Sequence, residues 1–283
     1  MQEPFYFTSG NHRVFGVFYP PEGEARTEGF VVCNGFGKEY NLCLSPLVGF
    51  ARILARRGYP VLRFDYAGYA DSTGAFEDAT ISTMRDDITA AADELVRRAR
   101  IERLGLLGMR FGAALAVMVA AERDDVAHLV LWEPVLNPWS YIFGELRQTV
   151  TMQTVLFREV RITRDRIVEN ILGKRPSIHG GYDFNIIDEG FPLGAKLLRE
   201  AREANIIDPP PRLEARVLML NIRKKEGPAP RAMADFAARL HQMGVDCRLE
   251  GAVEPCTFWK YDNIYATRGP QMYARTLAWL EEA

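Results

Sequence analysis

The most constraining stretch of this sequence is residues 103–119, RLGLLGMRFGAALAVMV. Residues 104–107 form a short apolar run, and Gly108 and Gly112 are the first and last residues of the five-residue turn that follows it. The residues after the turn are small and apolar, as in a helix that packs close to a sheet. The stretch therefore predicts a buried strand, a sharp turn and a tightly packed helix, which is the frame of a nucleophile elbow, G-x-S-x-G.

The central position of this turn holds Arg110 instead of a nucleophile. A guanidinium stays protonated at any usable pH, so it cannot attack a carbonyl carbon. It would also sit at a helix N-terminus, where the partial positive charge disfavours a cation. We therefore expect a compensating carboxylate nearby, with Glu133 and Asp65 as the candidates because each follows a predicted strand.

Composition excludes several classes of protein. The chain has 283 residues, 48% of them hydrophobic and 25% charged, with a formal net charge of -2. This balance indicates a globular protein and favours neither nucleic acid nor an anionic membrane surface as a partner. No apolar run approaches the ~18 residues of a spanning helix, and no basic leader precedes one, so we expect a cytoplasmic protein. The four cysteines are widely spaced, so we expect reduced thiols and neither a metal site nor a cofactor.

The order of apolar runs predicts an α/β fold. Two short runs at the start read as an antiparallel hairpin, and strands then alternate with helices, which indicates a mostly parallel sheet with helices on both faces. Ser45-Pro46 reads as the start of the first helix. The alternation stops at residue 137, and residues 137–208 show helical patterns without a convincing strand. We predict a core in two parts, residues 1–136 and 209–283, with a helical cap inserted at 137–208.

Three motifs in this order resemble the α/β-hydrolase superfamily, in its serine-aminopeptidase or lysophospholipase-like branch. They are Asn34-Gly35-Phe36-Gly37, the stretch RFDYAGYADSTG at residues 63–74, and Gly108-Met109-Arg110-Phe111-Gly112. The resemblance implies the α/β-hydrolase fold with a cap. The elbow arginine together with Leu131-Trp132-Glu133-Pro134 is similar to exosortase-system-associated hydrolases of bacterial exopolysaccharide loci, which implies a bacterial origin.

The catalytic triad of that superfamily does not map onto this sequence. Acyl transfer on the fold needs a nucleophile at the elbow, an acid after one late strand and a histidine after the last strand. The acid loop reads Arg223-Lys224-Lys225-Glu226-Gly227, and the last loop, residues 251–259, contains no histidine. None of the four histidines follows residue 241.

Two hypotheses follow. In the first, the protein binds a small anionic or acyl-bearing ligand, or a protein partner, beneath its cap. Arg110 would act there as a structural ion-pair anchor or as a ligand to a carboxylate or phosphate, and both roles stay open. The resemblance places the amides of Phe36 and Phe111 in the oxyanion hole, beside Gly35, and Glu133 is a further binding candidate.

In the second hypothesis, the protein is an enzyme of non-standard mechanism, such as an acyl transferase, a thioesterase or esterase-like enzyme, or a lyase, with a displaced nucleophile. Cys33 at a strand end, Cys256 in the last loop and His179 in the cap are the candidates. A lone cysteine without a neighbouring histidine is more often an inert core residue. Aromatic residues of the cap and last loop, among them Tyr141 and Trp259, would line a pocket or pack the core.

Overall fold

A computed structural model describes residues 2–187, 190–208, 210–260 and 268–282. The strands are β1 Glu3–Ser9, β2 His12–Tyr19, β3 Glu28–Cys33, β4 Val61–Phe64, β5 Arg103–Met109, β6 Val126–Trp132, β7 Ile178–His179, β8 Tyr182–Asp183, β9 Ile186–Ile187, β10 Phe191–Pro192, β11 Arg216–Arg223 and β12 Cys247–Val253. The α-helices are α1 Lys38–Arg56, α2 Ile81–Ala99, α3 Phe111–Ala120, α4 Pro138–Phe157, α5 Arg164–Leu172, α6 Ala195–Glu203, α7 Arg231–Gln242 and α8 Pro270–Glu281.

Eight of the strands form one sheet in the spatial order β1-β2-β4-β3-β5-β6-β11-β12. β2 pairs antiparallel with β1 and with β4, whereas the remaining neighbours pair in parallel. Side chains alternate between two cores: Leu106 belongs to the core that includes residues of α2, α3 and α7, and Leu107 belongs to the core that includes residues of α1 and α8. The predicted α/β class, initial hairpin and helices on both faces are confirmed.

The turn between β5 and α3 has the strained geometry that the glycines predict. Arg110 has φ 57° and ψ -119°, a conformation that costs a non-glycine residue about 1–3 kcal/mol. Three hydrogen bonds fix it: Arg110 N–H donates to the Trp132 carbonyl (3.0 Å), and the Arg110 carbonyl accepts from the N–H groups of Ala113 and Val135 (3.1 Å each). A Cβ on Gly112 would collide with the backbone of Cys33, so only glycine lets α3 approach β3 this closely.

The first helix begins earlier than Ser45-Pro46 indicates. α1 starts at Lys38, directly after Gly37 (φ 57°), and Pro46 lies inside it. Tyr40, Cys43 and Leu47 are buried on one face, so the helical pattern continues through the proline. The expected start at residue 45 is wrong because burial of this face outweighs the local preference of proline for a first turn.

The segment between β6 and β11, residues 137–208, holds α4, α5, α6 and two short antiparallel ladders. The expectation that it contains no strand is wrong. Each of its strands has two residues, too few for a period-two pattern to be recognised. Gly180 and Gly181, both with positive φ, form the turn between β7 and β8. This pair of glycines is the sequence feature that indicates the hairpin. We call residues 137–208 the inserted segment; the division of the chain into core and cap stays a prediction.

Within the described part of the chain, no helix has the length and apolar character needed to cross a bilayer.

The elbow geometry predicts opposite effects for two glycine substitutions. Gly112→Ala should lower the free energy of unfolding by about 3 kcal/mol or more, because the backbone carbonyls beside it cannot move away. Gly144→Ala is the matched control, since its Cβ would meet nothing within 4 Å in helix α4. It should raise stability by about 0.5–1 kcal/mol. Urea unfolding of both variants measures the difference, and equal effects would contradict the close packing of α3.

Candidate functional site

The side chain of Arg110 forms a buried ion pair with Glu39. Nε of Arg110 lies 3.2 Å from both carboxylate oxygens of Glu39, and Nη2 lies 3.1 Å from Oε1. Glu39 belongs to the first turn of α1, directly after the loop that follows β3. The side chain of Arg110 is 17% exposed and that of Glu39 is 4% exposed, so the two charges compensate each other where water has little access.

The two carboxylates expected to pair with Arg110 bind other groups. Glu133 accepts hydrogen bonds from the Ile222 N–H (2.6 Å) and from the Asn221 amide (3.0 Å) at the end of β11. Asp65 pairs with Arg63 at 2.7 Å and accepts a hydrogen bond from the Tyr40 hydroxyl. The expectation is wrong because each carboxylate is satisfied near its own strand end, and Glu133 affects Arg110 only through its more distant charge.

Two aromatic rings enclose the guanidinium of Arg110. Its central carbon lies 4.8 Å from the centroid of the Trp259 ring and 5.6 Å from that of the Tyr141 ring. Trp259 comes from the loop after β12, and Tyr141 comes from α4 of the inserted segment. The Tyr141 hydroxyl also opposes the rise in the pKa of Glu39. The ion pair therefore connects the elbow, the first helix, the inserted segment and the last loop.

Burial and charge act in opposite directions on both members of the pair. Burial raises the pKa of the Glu39 carboxyl, and the guanidinium of Arg110 opposes that rise. Burial alone would lower the pKa of Arg110, but Glu39 outweighs it and the pKa is raised. Arg110 thus stays cationic, and each partner is what makes the burial of the other tolerable.

The loops after β11 and β12 are where the family places the acid and the histidine of the triad. In the acid loop, Arg223 hydrogen-bonds to the Gly227 carbonyl and pairs with Glu226, whose side chain is 79% exposed. In the last loop, the position after β12 supplies Trp259, which stacks on Arg110. No histidine occurs in the sequence after residue 241, so this loop holds no general base of the usual kind.

The three candidates for a displaced nucleophile do not lie together. Cys33 is fully buried, and burial raises its pKa far above the usual value for a thiol. Cys256 is buried in the core that α1 and α8 share with the sheet. His179 packs against Phe157, with ring centroids 4.3 Å apart. Phe157 ends α4, and roughly 24 Å of helix separates it from Tyr141 at the site.

The loop after β3 carries the residues that the resemblance places in the oxyanion hole. The Phe36 and Phe111 rings pack together at 5.2 Å, and both side chains are buried. Their backbone N–H groups have no acceptor among the described residues, since Phe111 is the first residue of α3 and Phe36 precedes α1. Gly35 has a clear role: a Cβ there would lie 3.1 Å from the Cβ of Glu39, so glycine makes room for the ion pair.

A cavity of about 500 Å³ opens beside the ion pair. Four basic and two acidic side chains line it, together with Trp259 and uncharged groups of α4: Lys38, Arg110, Arg147, Lys260, Glu39 and Glu145. The third nitrogen of the Arg110 guanidinium, Nη1, has no acceptor among the described residues and is not fully buried. Arg147 and Lys260 are exposed and form no ion pair with any described residue. We call this space the elbow cavity.

No three His, Cys, Asp or Glu side chains in the described ranges are arranged to hold a metal ion.

The strand order and the strained turn after β5 define an α/β-hydrolase fold. The protein belongs to the serine aminopeptidase S33 family, whose family model matches residues 26–209. This confirms the superfamily and the serine-aminopeptidase branch. No curated protein matches the chain by sequence.

Solved structures confirm the fold over the whole chain. Est1E from Butyrivibrio proteoclasticus, with ferulic acid bound, has a TM-score of 0.65 and 17% identity, covering 98% of each chain. A proline iminopeptidase from Mycobacterium smegmatis has a TM-score of 0.61 and 17% identity, covering 99% of this chain and 98% of its own. An α/β serine hydrolase homologue from Coxiella burnetii has a TM-score of 0.51 and 13% identity, covering 88% and 86%. Similarity at this level of identity shows the fold alone.

The residue that sequence reasoning missed is Glu39. Glu39 lies two residues after Gly37, next to the loop that the resemblance places beside the elbow, but Ser45-Pro46 predicts a later start for the helix. A helix that starts at Lys38 has an acidic residue in its first turn, and such a residue is the natural partner for a cation at the elbow.

The ion pair predicts a large stability difference between two arginine substitutions beside the same cavity. Arg110→Ala leaves the buried Glu39 carboxylate unpaired and should lower the free energy of unfolding by about 3–5 kcal/mol. Arg147→Ala removes an exposed cation and should change it by less than about 0.5 kcal/mol. Chemical denaturation followed by tryptophan fluorescence measures both, and a small effect of Arg110→Ala would contradict the structural role of the pair.

Proposed function

We propose that this protein is a member of its family that lacks serine-hydrolase chemistry and binds a small carboxylate- or phosphate-bearing molecule in the elbow cavity. The observation that carries the proposal is the state of Arg110. Two of its guanidinium nitrogens bind Glu39, while Nη1 keeps free donors at the edge of a basic cavity.

The charges around the cavity support an anionic ligand. Glu39 balances Arg110, and Lys38 lies 3.8 Å from Glu145 and 2.6 Å from the Gln148 amide oxygen. Arg147 and Lys260 then add positive charge that no described carboxylate neutralises. Cations with spare donors attract and hold a carboxylate or phosphate, and Arg110 would give it a fixed point of attachment.

The aromatic cluster favours a small polar ligand over a long acyl chain. The rings of Phe36, Phe111 and Tyr141 pack together at centroid distances of 5.2–6.5 Å. Phe36 and Phe111 are about 1% exposed, so this space is filled. The backbone N–H groups of these two residues have no acceptor in the described part of the chain, and this supports a role for them in binding an anion.

An enzyme with a displaced nucleophile is the weaker proposal. Cys33 and Cys256 are buried, and burial raises the pKa of the Cys33 thiol, which makes Cys33 a poor nucleophile. His179 packs against Phe157, which lies about 24 Å along α4 from Tyr141 at the elbow. A protein partner in place of a small ligand, a cytoplasmic location, a bacterial origin and the finer likeness to exosortase-system-associated hydrolases stay predictions.

Anion binding is tested by calorimetric titration with inorganic phosphate and with small carboxylates such as citrate. The double variant Arg147→Ala/Lys260→Ala should bind about fivefold or more weakly than the unchanged protein, because two exposed charges beside the ligand are lost. The control Arg212→Ala/Arg231→Ala removes the same net charge from side chains that are 86% and 93% exposed elsewhere, and its affinity should not change.

Three outcomes would contradict the proposal. The first is no heat and no thermal stabilisation with any of these anions. The second is an equal loss of affinity in the control variant. The third is a stoichiometric covalent adduct after exposure to a fluorophosphonate probe, seen by intact-mass spectrometry, since such an adduct requires an activated nucleophile.

A further inference from the structure

Exposed apolar side chains concentrate at one end of the inserted segment. The described residues include seven large hydrophobic side chains that are strongly exposed, and five of them belong to this segment. Val155 is the most exposed, at 71%, and each of the five is at least 40% exposed: Val155, Leu156, Val160, Ile178 and Tyr182. Single exposed hydrophobic residues need no explanation, but a cluster on one element marks an interaction site.

These five side chains belong to the end of α4, the loop after it and the β7–β8 hairpin. The end of α4 carries Val155 and Leu156, and its last residue, Phe157, packs against Tyr182 of β8 with ring centroids 6.0 Å apart. Met152, one turn before Leu156, lines an open cavity of about 430 Å³ with Tyr182. The end of α4 therefore packs on one face of the β7–β8 hairpin, and Ile178 lies on the opposite face. We call the five exposed apolar side chains of these elements and of the loop after α4 the apolar end.

Basic side chains without partners surround the apolar end. Arg158 directly follows α4, and Lys174 and Arg175 follow α5. All three are exposed and form no ion pair with a described residue, whereas nearby Arg161 is paired with Glu159. Arg175 is also tied to the hairpin region, because its carbonyl accepts a hydrogen bond from the Asn185 amide at 2.8 Å.

We infer that the apolar end docks onto an anionic lipid surface. Apolar side chains flanked by unpaired cations are what such a surface binds, since the aliphatic tips enter the acyl boundary while the cations meet the headgroups. Four of the five exposed side chains are aliphatic, whereas the cores of protein interfaces are enriched in aromatic residues, methionine and arginine. The inference does not depend on the ligand of the elbow cavity.

A second copy of the chain fits this surface less well. In a twofold dimer the same patch faces itself, so Arg158, Lys174 and Arg175 would be brought towards their own copies. Like charges in that arrangement oppose association, whereas an anionic surface attracts them.

The test is flotation of the purified protein with vesicles of equal parts phosphatidylcholine and phosphatidylglycerol, compared with phosphatidylcholine alone. The unchanged protein should bind the anionic vesicles, and binding should weaken as salt is raised. Two variants, Val155→Asp/Ile178→Asp and Arg158→Glu/Arg175→Glu, should each lower binding at least about tenfold. All four positions are exposed, so both variants should melt like the unchanged protein.

Matched controls lie outside the inserted segment. Met243→Asp places a charge at another exposed hydrophobic residue, and Arg212→Glu/Arg231→Glu repeats the charge reversal; both should bind as the unchanged protein does. The inference is overturned if the unchanged protein does not float with anionic vesicles or if the controls lose as much binding as the variants. It is also overturned if light scattering shows a dimer that Val155→Asp/Ile178→Asp dissociates, because a second copy then covers the apolar end.

Discussion

The ion pair between Arg110 and Glu39 is the interaction on which the functional end of this fold depends. It places a permanent cation at the strained position where the fold normally presents a nucleophile. Such a cation is tolerable at the end of a helix and nearly out of solvent only if a carboxylate meets it. Gly35 lets Glu39 approach, Gly112 lets α3 approach β3, and Tyr141 and Trp259 cover the guanidinium. Each of these local features accommodates or covers one buried charge, the guanidinium of Arg110.

If the chain lacks the triad, as we propose, the change involves more than three side chains. The loop that would carry the histidine carries Trp259, and the inserted segment, where a substrate would be covered, contributes Tyr141 to the same cluster. Restoring a serine at position 110 would restore neither base nor acid, and it would leave Glu39 buried without a partner. The basic cavity and the backbone N–H groups of Phe36 and Phe111, which have no acceptor among the described residues, are the basis for proposing anion binding instead of acyl transfer.

The fold was predictable because its signals are local: apolar runs of strand length, helical spacing between them, and glycines where the backbone of α3 meets β3. The partner of Arg110 was not predictable, because residues 39 and 110 are far apart in the sequence and come together only in the folded chain. Pro46 also indicates a start of α1 later than the observed one. The β7–β8 ladder was missed because its strands are shorter than any periodic pattern. The net charge of -2 likewise gives no sign of the apolar end, where Arg158, Lys174 and Arg175 form no ion pair with a described residue.

The most direct test of this account is the coupling free energy between Arg110 and Glu39, measured by a double-mutant cycle in urea with Arg110→Met, Glu39→Gln and the two combined. A buried pair whose members compensate each other should couple by about 2 kcal/mol or more, so the double variant should be more stable than the sum of the single effects predicts. A coupling near zero, with additive losses, would show that Arg110 and Glu39 do not depend on each other and would contradict the account.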